Sequence, residues 1–191
     1  MLYSKQQPKT TDKRPMTGNQ ESKNGFGLIE IIVYIALLGM VSVFVSNSLI
    51  QIVDTYYRAA VEREVLSNSR LIIETLTKAI SSSKEVYAPT SIFNNDTGQL
   101  SLITPVNPPA EHNTAYADYY LDNGRLWIRQ EGQNAAPLSA ASVNITKFRV
   151  ERIVQGLNNE AVKITLGIKS ISSKFTASTT LNSTTALRGN Y

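Results

Sequence analysis

The chain contains no cysteine. Disulfides, thiolate-bound zinc, iron–sulfur clusters and thiol catalysis are therefore excluded, while the compartment stays open. Histidine occurs once, at His112, beside Pro108, Pro109, Ala110, Glu111 and Asn113, and a lone imidazole in such a stretch reads as a solvated loop side chain. Phosphate-cradling glycine loops, nucleophile elbows and metal-binding helix motifs are missing too, so no catalytic residue, metal or cofactor is expected and the chain is not read as an enzyme. Charge is sparse in a second sense. The formal net charge is +4, but residues 1–25 hold Lys5, Lys9, Lys13, Arg14 and Lys23 against Asp12 and Glu21, a balance of +3 that leaves +1 for everything else. Basicity concentrated in an N-terminal tail points to membrane topology before nucleic acid. Proline is absent from Phe26 through Tyr87.

What fills that proline-free stretch sets the architecture. Residues 1–25 are rich in Lys, Gln, Thr, Ser, Asn and Pro and cannot bury enough surface to offset their ordering entropy, which predicts a disordered basic tail. The character changes at Phe26. From Leu28 to Val45 nearly every residue is apolar, with Glu30, Gly39 and Ser42 as exceptions, and the softer Ser46–Val53 carries the run to the ~20 residues that span a bilayer. Cations before it and few after it predict a cytoplasmic N-terminus. A cleaved secretory signal is the rival reading, but no small-residue cleavage site follows the apolar core and the helical pattern runs on through Ser46-Asn47-Ser48. Apolar residues then recur at Ile50, Val53, Tyr57, Val61, Val65, Ile72, Leu76 and Ala79, widened by Leu66, Ile73 and Ile80 and interrupted near Ser69. Steps of three and four residues predict one buried helix face. Arg58/Glu62, Arg70/Glu74 and Glu74/Lys78 sit at i,i+4 on the opposite side. One helix is thus expected from about Phe26 to about Ser82, on the order of 85 Å long, closed by Ser81-Ser82-Ser83 and Pro89.

Beyond it the period falls to two. Gln99–Thr104 alternates polar and apolar, and Tyr116–Leu121 and Arg125–Gln130 flank Asp122-Asn123-Gly124, a strong hairpin-turn sequence. Ile145–Ile153 and Ala161–Ile168 read as a second hairpin across the turn-rich 155–160, and Lys174–Thr179 as a last strand. Helices do not alternate with these strands, so the class is α+β: a long N-terminal helix, membrane-spanning in its first half and amphipathic in its second, packed on a C-terminal antiparallel sheet domain.

Three side-chain groups invite a sharper reading. Asn94-Asn95-Asp96-Thr97-Gly98 offers oxygen ligands but one carboxylate, which suits a turn better than calcium. Asp118, Asp122 and Glu131 straddle a hairpin beside Trp127 and tyrosines, where sheet packing explains the aromatics without a glycosidase-like carboxylate pair. Arg125, Arg129, Lys147, Arg149 and Arg152 suggest a basic face, but Glu131 and Glu151 interrupt it, so nucleic acid is not an expected partner.

The stretch Lys23-Asn24-Gly25-Phe26-Gly27-Leu28-Ile29-Glu30, continuing into the apolar run, resembles the processing and assembly signal of type IV pilins and type II secretion pseudopilins. The match is close over roughly residues 23–50. The resemblance implies a precursor in the bacterial inner membrane, with its N-terminus in the cytoplasm and its C-terminal domain outside. A prepilin peptidase would cut after Gly25, remove residues 1–25 and methylate the amine of Phe26. Residues 26–53 would then be the transmembrane and filament-core helix, held by lipid before assembly and by other pilin or pseudopilin subunits afterwards, and residues 54–191 the extracytoplasmic domain. It also implies that the carboxylate of Glu30, fifth in the mature chain, meets the N-terminal amine of a neighbouring subunit and sets axial register; a role within the processing site stays open. Short pieces, among them Tyr57-Arg58-Ala59-Ala60, Tyr119–Leu126 and Thr184–Arg188, resemble J-type minor pseudopilins and W-type minor pilins, which implies a low-copy initiating or tip subunit. The chain departs from the family in its long leader, in lacking a helix-bending proline and in lacking a disulfide loop. The alternative expectation is a membrane-anchored extracytoplasmic binding module that does not polymerise.

Overall fold

The computed structural model describes residues 27–155 and 159–187. One helix, α1 (Leu28–Ser82), is followed by the strands β1 (Glu85–Val86), β2 (Gln99–Thr104), β3 (Ala115–Asp122), β4 (Arg125–Gln130), β5 (Ala136–Pro137), β6 (Val143–Gln155), β7 (Asn159–Ser170) and β8 (Ser178–Ala186). The chain divides into two units between Asn47 and Ser48.

In the first unit, the large apolar side chains of α1 from Leu28 to Val45 are between 48 and 77 % exposed. This is the one helix among the described residues that is long and apolar enough to cross a membrane. A helix greasy on every side has no core-facing stripe to bury; it must find lipid or other helices.

The second unit is α+β. Its part of α1 buries Val65, Ser69, Ile72, Leu76 and Ile80, spaced by three and four residues, so a single face turns inward. That face meets Leu100, Leu102, Ala117, Tyr119 and Leu126 of one sheet and Val143, Phe148, Val150, Ile164 and Leu166 of another in one continuous core. Each fully buried aliphatic side chain contributes roughly 1.5–3 kcal/mol, which outweighs the poor helix propensity of a Ser- and Thr-bearing segment. Both sheets are wholly antiparallel and free of crossovers, in the orders β1-β2-β3-β4-β5 and β6-β7-β8.

Local chemistry explains the joints. Asp122 pairs with Arg125 across the β3–β4 loop, where Asn123 and Gly124 have φ of 49° and 72°, the left-handed pair that a two-residue hairpin demands. A Cβ at Gly124 would lie 2.1 Å from Asn144 Oδ1, and its carbonyl accepts a 2.8 Å bond from Ile145 N–H, so the turn also ties the first sheet to β6. In β6 the register shifts between Ile145 and Lys147, and the buried set changes from Val143 and Ile145 to Phe148 and Val150. The bulge inserts one residue and so exchanges the two faces of the strand. At the end of α1, the Ser83 hydroxyl donates to the carbonyl of Ala79 (2.6 Å), one of the last four acceptors that a helix leaves open.

Three expectations need correcting. The last strand is Ser178–Ala186 and not Lys174–Thr179; Lys174 and Phe175 lie in the β7–β8 connection, where Lys174 binds Asp54 at 3.0 Å and the Phe175 ring sits between Arg58 and Lys174. The reason is that β8 alternates with hydroxyls where larger apolar groups would mark a strand. The buried helix face is shorter than the apolar stripe, because Ile50, Val53 and Tyr57 are exposed and burial starts at Val65. Ser69, read as an interruption, is fully buried and donates 2.6 Å to the carbonyl of Val65, so it belongs to the face.

Candidate functional site

Of the residues singled out at the N-terminal signal, Gly25 and Phe26 lie outside the described residues, as does the leader 1–25. Glu30 is described, and it is exposed in the first turn of α1. Its amide donates 3.0 Å to the carbonyl of Gly27, which opens the helix, and its carboxylate accepts the Tyr34 hydroxyl at 3.4 Å one turn on. It is an acidic residue in the first turn, at the positive end of the helix dipole. The exposed side chain is open to an incoming cation. Around it Leu28, Ile29, Ile31, Ile32 and Val33 are at least half exposed, so the carboxylate projects from an otherwise aliphatic surface.

The other candidate groups are occupied within the fold. Asp96 binds Arg149 at 2.8 Å and Lys147 at 3.4 Å, while Asn95 Oδ1 accepts from Thr97 N–H, an Asx-type turn. Asp118 accepts from Ser101 Oγ and from Arg129, both at 2.7 Å, and Glu131 accepts the backbone amide of Tyr116 at 3.1 Å. Arg125 donates to the carbonyl of Ser139 and stacks at 5.5 Å on Trp127; Arg152 pairs with Glu160. Thus each cation of the supposed basic face has a partner on its own chain. His112 is an exposed loop residue. Among the described residues no group of three or more His, Asp or Glu side chains is placed to hold a metal.

One feature escapes the sequence. Where the end of α1 meets the first sheet, a crevice of about 210 Å³ opens between Thr75, Lys78 and Ala79 on the helix and Leu102, Tyr119 and Ile128 on the strands. Tyr119 is 3 % exposed, and its burial pushes the phenol up to about 12. Within the aromatic-rich run Tyr119-Tyr120 only the odd-numbered residue turns toward α1, and strand parity alone could have said so.

No protein-family model, no curated protein and no solved structure matches the chain.

Proposed function

We propose that this chain is a prepilin-like minor pilin or pseudopilin, a structural or initiating subunit of a type IV pilus or type II secretion-like filament, and not a catalyst. In this reading it is made as a single-pass protein of the bacterial inner membrane, cut by prepilin peptidase after Gly25 and methylated on Phe26. The observation that carries the proposal is a helix apolar on all sides from Leu28 to Val45 whose one carboxylate, Glu30, stands in the first turn. In a filament core that acid would lie away from water, where a lone carboxylate is costly and one paired with an ammonium is compensated. The mature N-terminal amine of an adjoining subunit is the cation that assembly itself supplies, so an aligned pair favours one axial offset over its neighbours.

Sheared filaments, probed by antibody for this subunit, test the register role. Glu30→Ala is expected to enter the membrane normally and to fall at least tenfold in filaments, and Glu30→Gln, uncharged but isosteric, to behave alike. Normal incorporation of either variant would reject the role. A second reading, an anchored binding module that does not polymerise, is favoured by the crevice of about 210 Å³ lined by Tyr119, Leu102, Ile128 and Lys78, which suits a small, mainly apolar guest.

A further inference from the structure

Sheet edges are the surfaces through which antiparallel domains meet other chains, and proteins ordinarily blunt them. Three of the four edges here are blunted. β1 and β5 are two residues each, and β5 contains Pro137. The outer edge of β6 is covered by the 92–98 segment: Asn94 N–H donates to the Val150 carbonyl at 2.9 Å, Gly98 N–H donates to the Phe148 carbonyl at 2.8 Å, and the Asp96 carbonyl accepts from Phe148 N–H at 2.7 Å. That strand is also bulged and carries Lys147, Arg149 and Arg152. β8 differs in every respect. It runs nine residues, Ser-Thr-Thr-Leu-Asn-Ser-Thr-Thr-Ala, without charge, proline, glycine or bulge, in unbroken register with β7. Among the described residues, no backbone group outside β7 bonds to it, and its contact with α1 is a side-chain one, Thr77 Oγ1 to Ser183 Oγ at 3.3 Å.

A row of open N–H and C=O groups is matched best by another strand. The sequence of β8 says which. It is nearly palindromic about Asn182: two antiparallel copies centred there set Thr179 against Thr185, Thr180 against Thr184 and Leu181 against Ser183, so both threonine pairs on each side of the axis fall opposite one another. Cross-strand threonine pairs are favourable, and the lack of charge removes the repulsion that keeps identical edges apart.

We infer that the open edge of β8 pairs antiparallel with β8 of a second copy about a two-fold axis at Asn182, joining two three-stranded sheets into one. The interface is isologous and closes on itself. A two-fold normal to the sheet reverses directions within its plane, so the Ser48 ends of the two packed α1 segments point opposite ways. The pairing involves the α+β unit alone and holds whether or not the subunit polymerises through Glu30.

The natural absence of cysteine makes the register directly measurable in the full chain solubilised in mild detergent. Asn182→Cys places the new thiols opposite each other, within the ~7 Å Cα separation a disulfide allows, and is expected to give a disulfide-linked dimer as the main oxidised product. Thr180→Cys alone and Thr184→Cys alone leave like positions about 13 Å apart along the strand and are expected to stay monomeric on denaturing gels, while an equal mixture of the two cross-links. Residues 180, 182 and 184 are exposed, so all variants should keep the parent's melting temperature. The unaltered chain should sediment as a dimer, and Asn182→Lys, which sets like charges face to face, as a monomer. A monomeric parent, no dimer from Asn182→Cys, equal dimers from Thr180→Cys, a dimer that survives Asn182→Lys, or a disulfide formed only to a different polypeptide would each overturn the proposal.

Discussion

Glu30 is the only Asp, Glu, Lys, Arg or His between Lys23 and Asp54, and that isolation makes it stand out in the sequence. A charge in hydrocarbon costs on the order of 2.5–3.5 kcal/mol on insertion scales, so one that persists in an apolar run asks for a partner. Tyr119 is the opposite case. Nothing in Tyr119-Tyr120 marks one ring for the core; only the register of β3 against β2 and β4 does. Its consequence is a titration. Burial raises its pKa from 10.0 to about 12, so the neutral phenol favours the folded state. That stability is intact below pH 10 and is lost as pH rises from about 10 through about 12, at up to about 1.4 kcal/mol per unit. Tyr119→Phe should flatten urea-melt stability over that interval while changing it by less than about 1 kcal/mol at pH 7. An unchanged alkaline decline would show that another group is responsible.

At the scale of elements, α1 reads easily and its burial does not. Periodicity locates every turn of the helix, but an apolar stripe facing lipid or sister helices has the same spacing as one facing a sheet, which is why Ile50 and Val53 could not be told from Ile72 and Leu76. The structure separates them, and a pair of substitutions measures the separation. Leu76→Ala removes a fully buried side chain and should destabilise the second unit by about 2–5 kcal/mol, whereas Val53→Ala, nearly half exposed, should leave its unfolding midpoint unchanged. Equal effects would place Val53 inside the same core. Among the strands, β2 and β4 coincide with the expected Gln99–Thr104 and Arg125–Gln130, because alternation and an Asn-Gly turn act locally. β8 was misplaced because Thr and Ser on its inner side carry little hydrophobic signal; its position depends on β7, not on its own residues. The split into two sheets was likewise illegible, since it depends on how β6 packs and not on any one strand.

At the scale of the whole molecule, an apolar helix with an exposed surface adjoins a unit that has its own core. The core begins at Val65 and reaches Leu187, so residues 54–191 contain all of it. Produced alone, that fragment should be soluble and unfold in one cooperative transition, and an insoluble product would contradict the boundary. The membrane role itself rests on the leader and its junction, where sequence carries the whole inference. The mass of the mature chain from cells with active prepilin peptidase tests it most directly. A chain beginning at Phe26 and bearing one added methyl group, with processing lost in Gly25→Val, is the predicted result; a chain that keeps Met1 through Gly25 in those cells would contradict it.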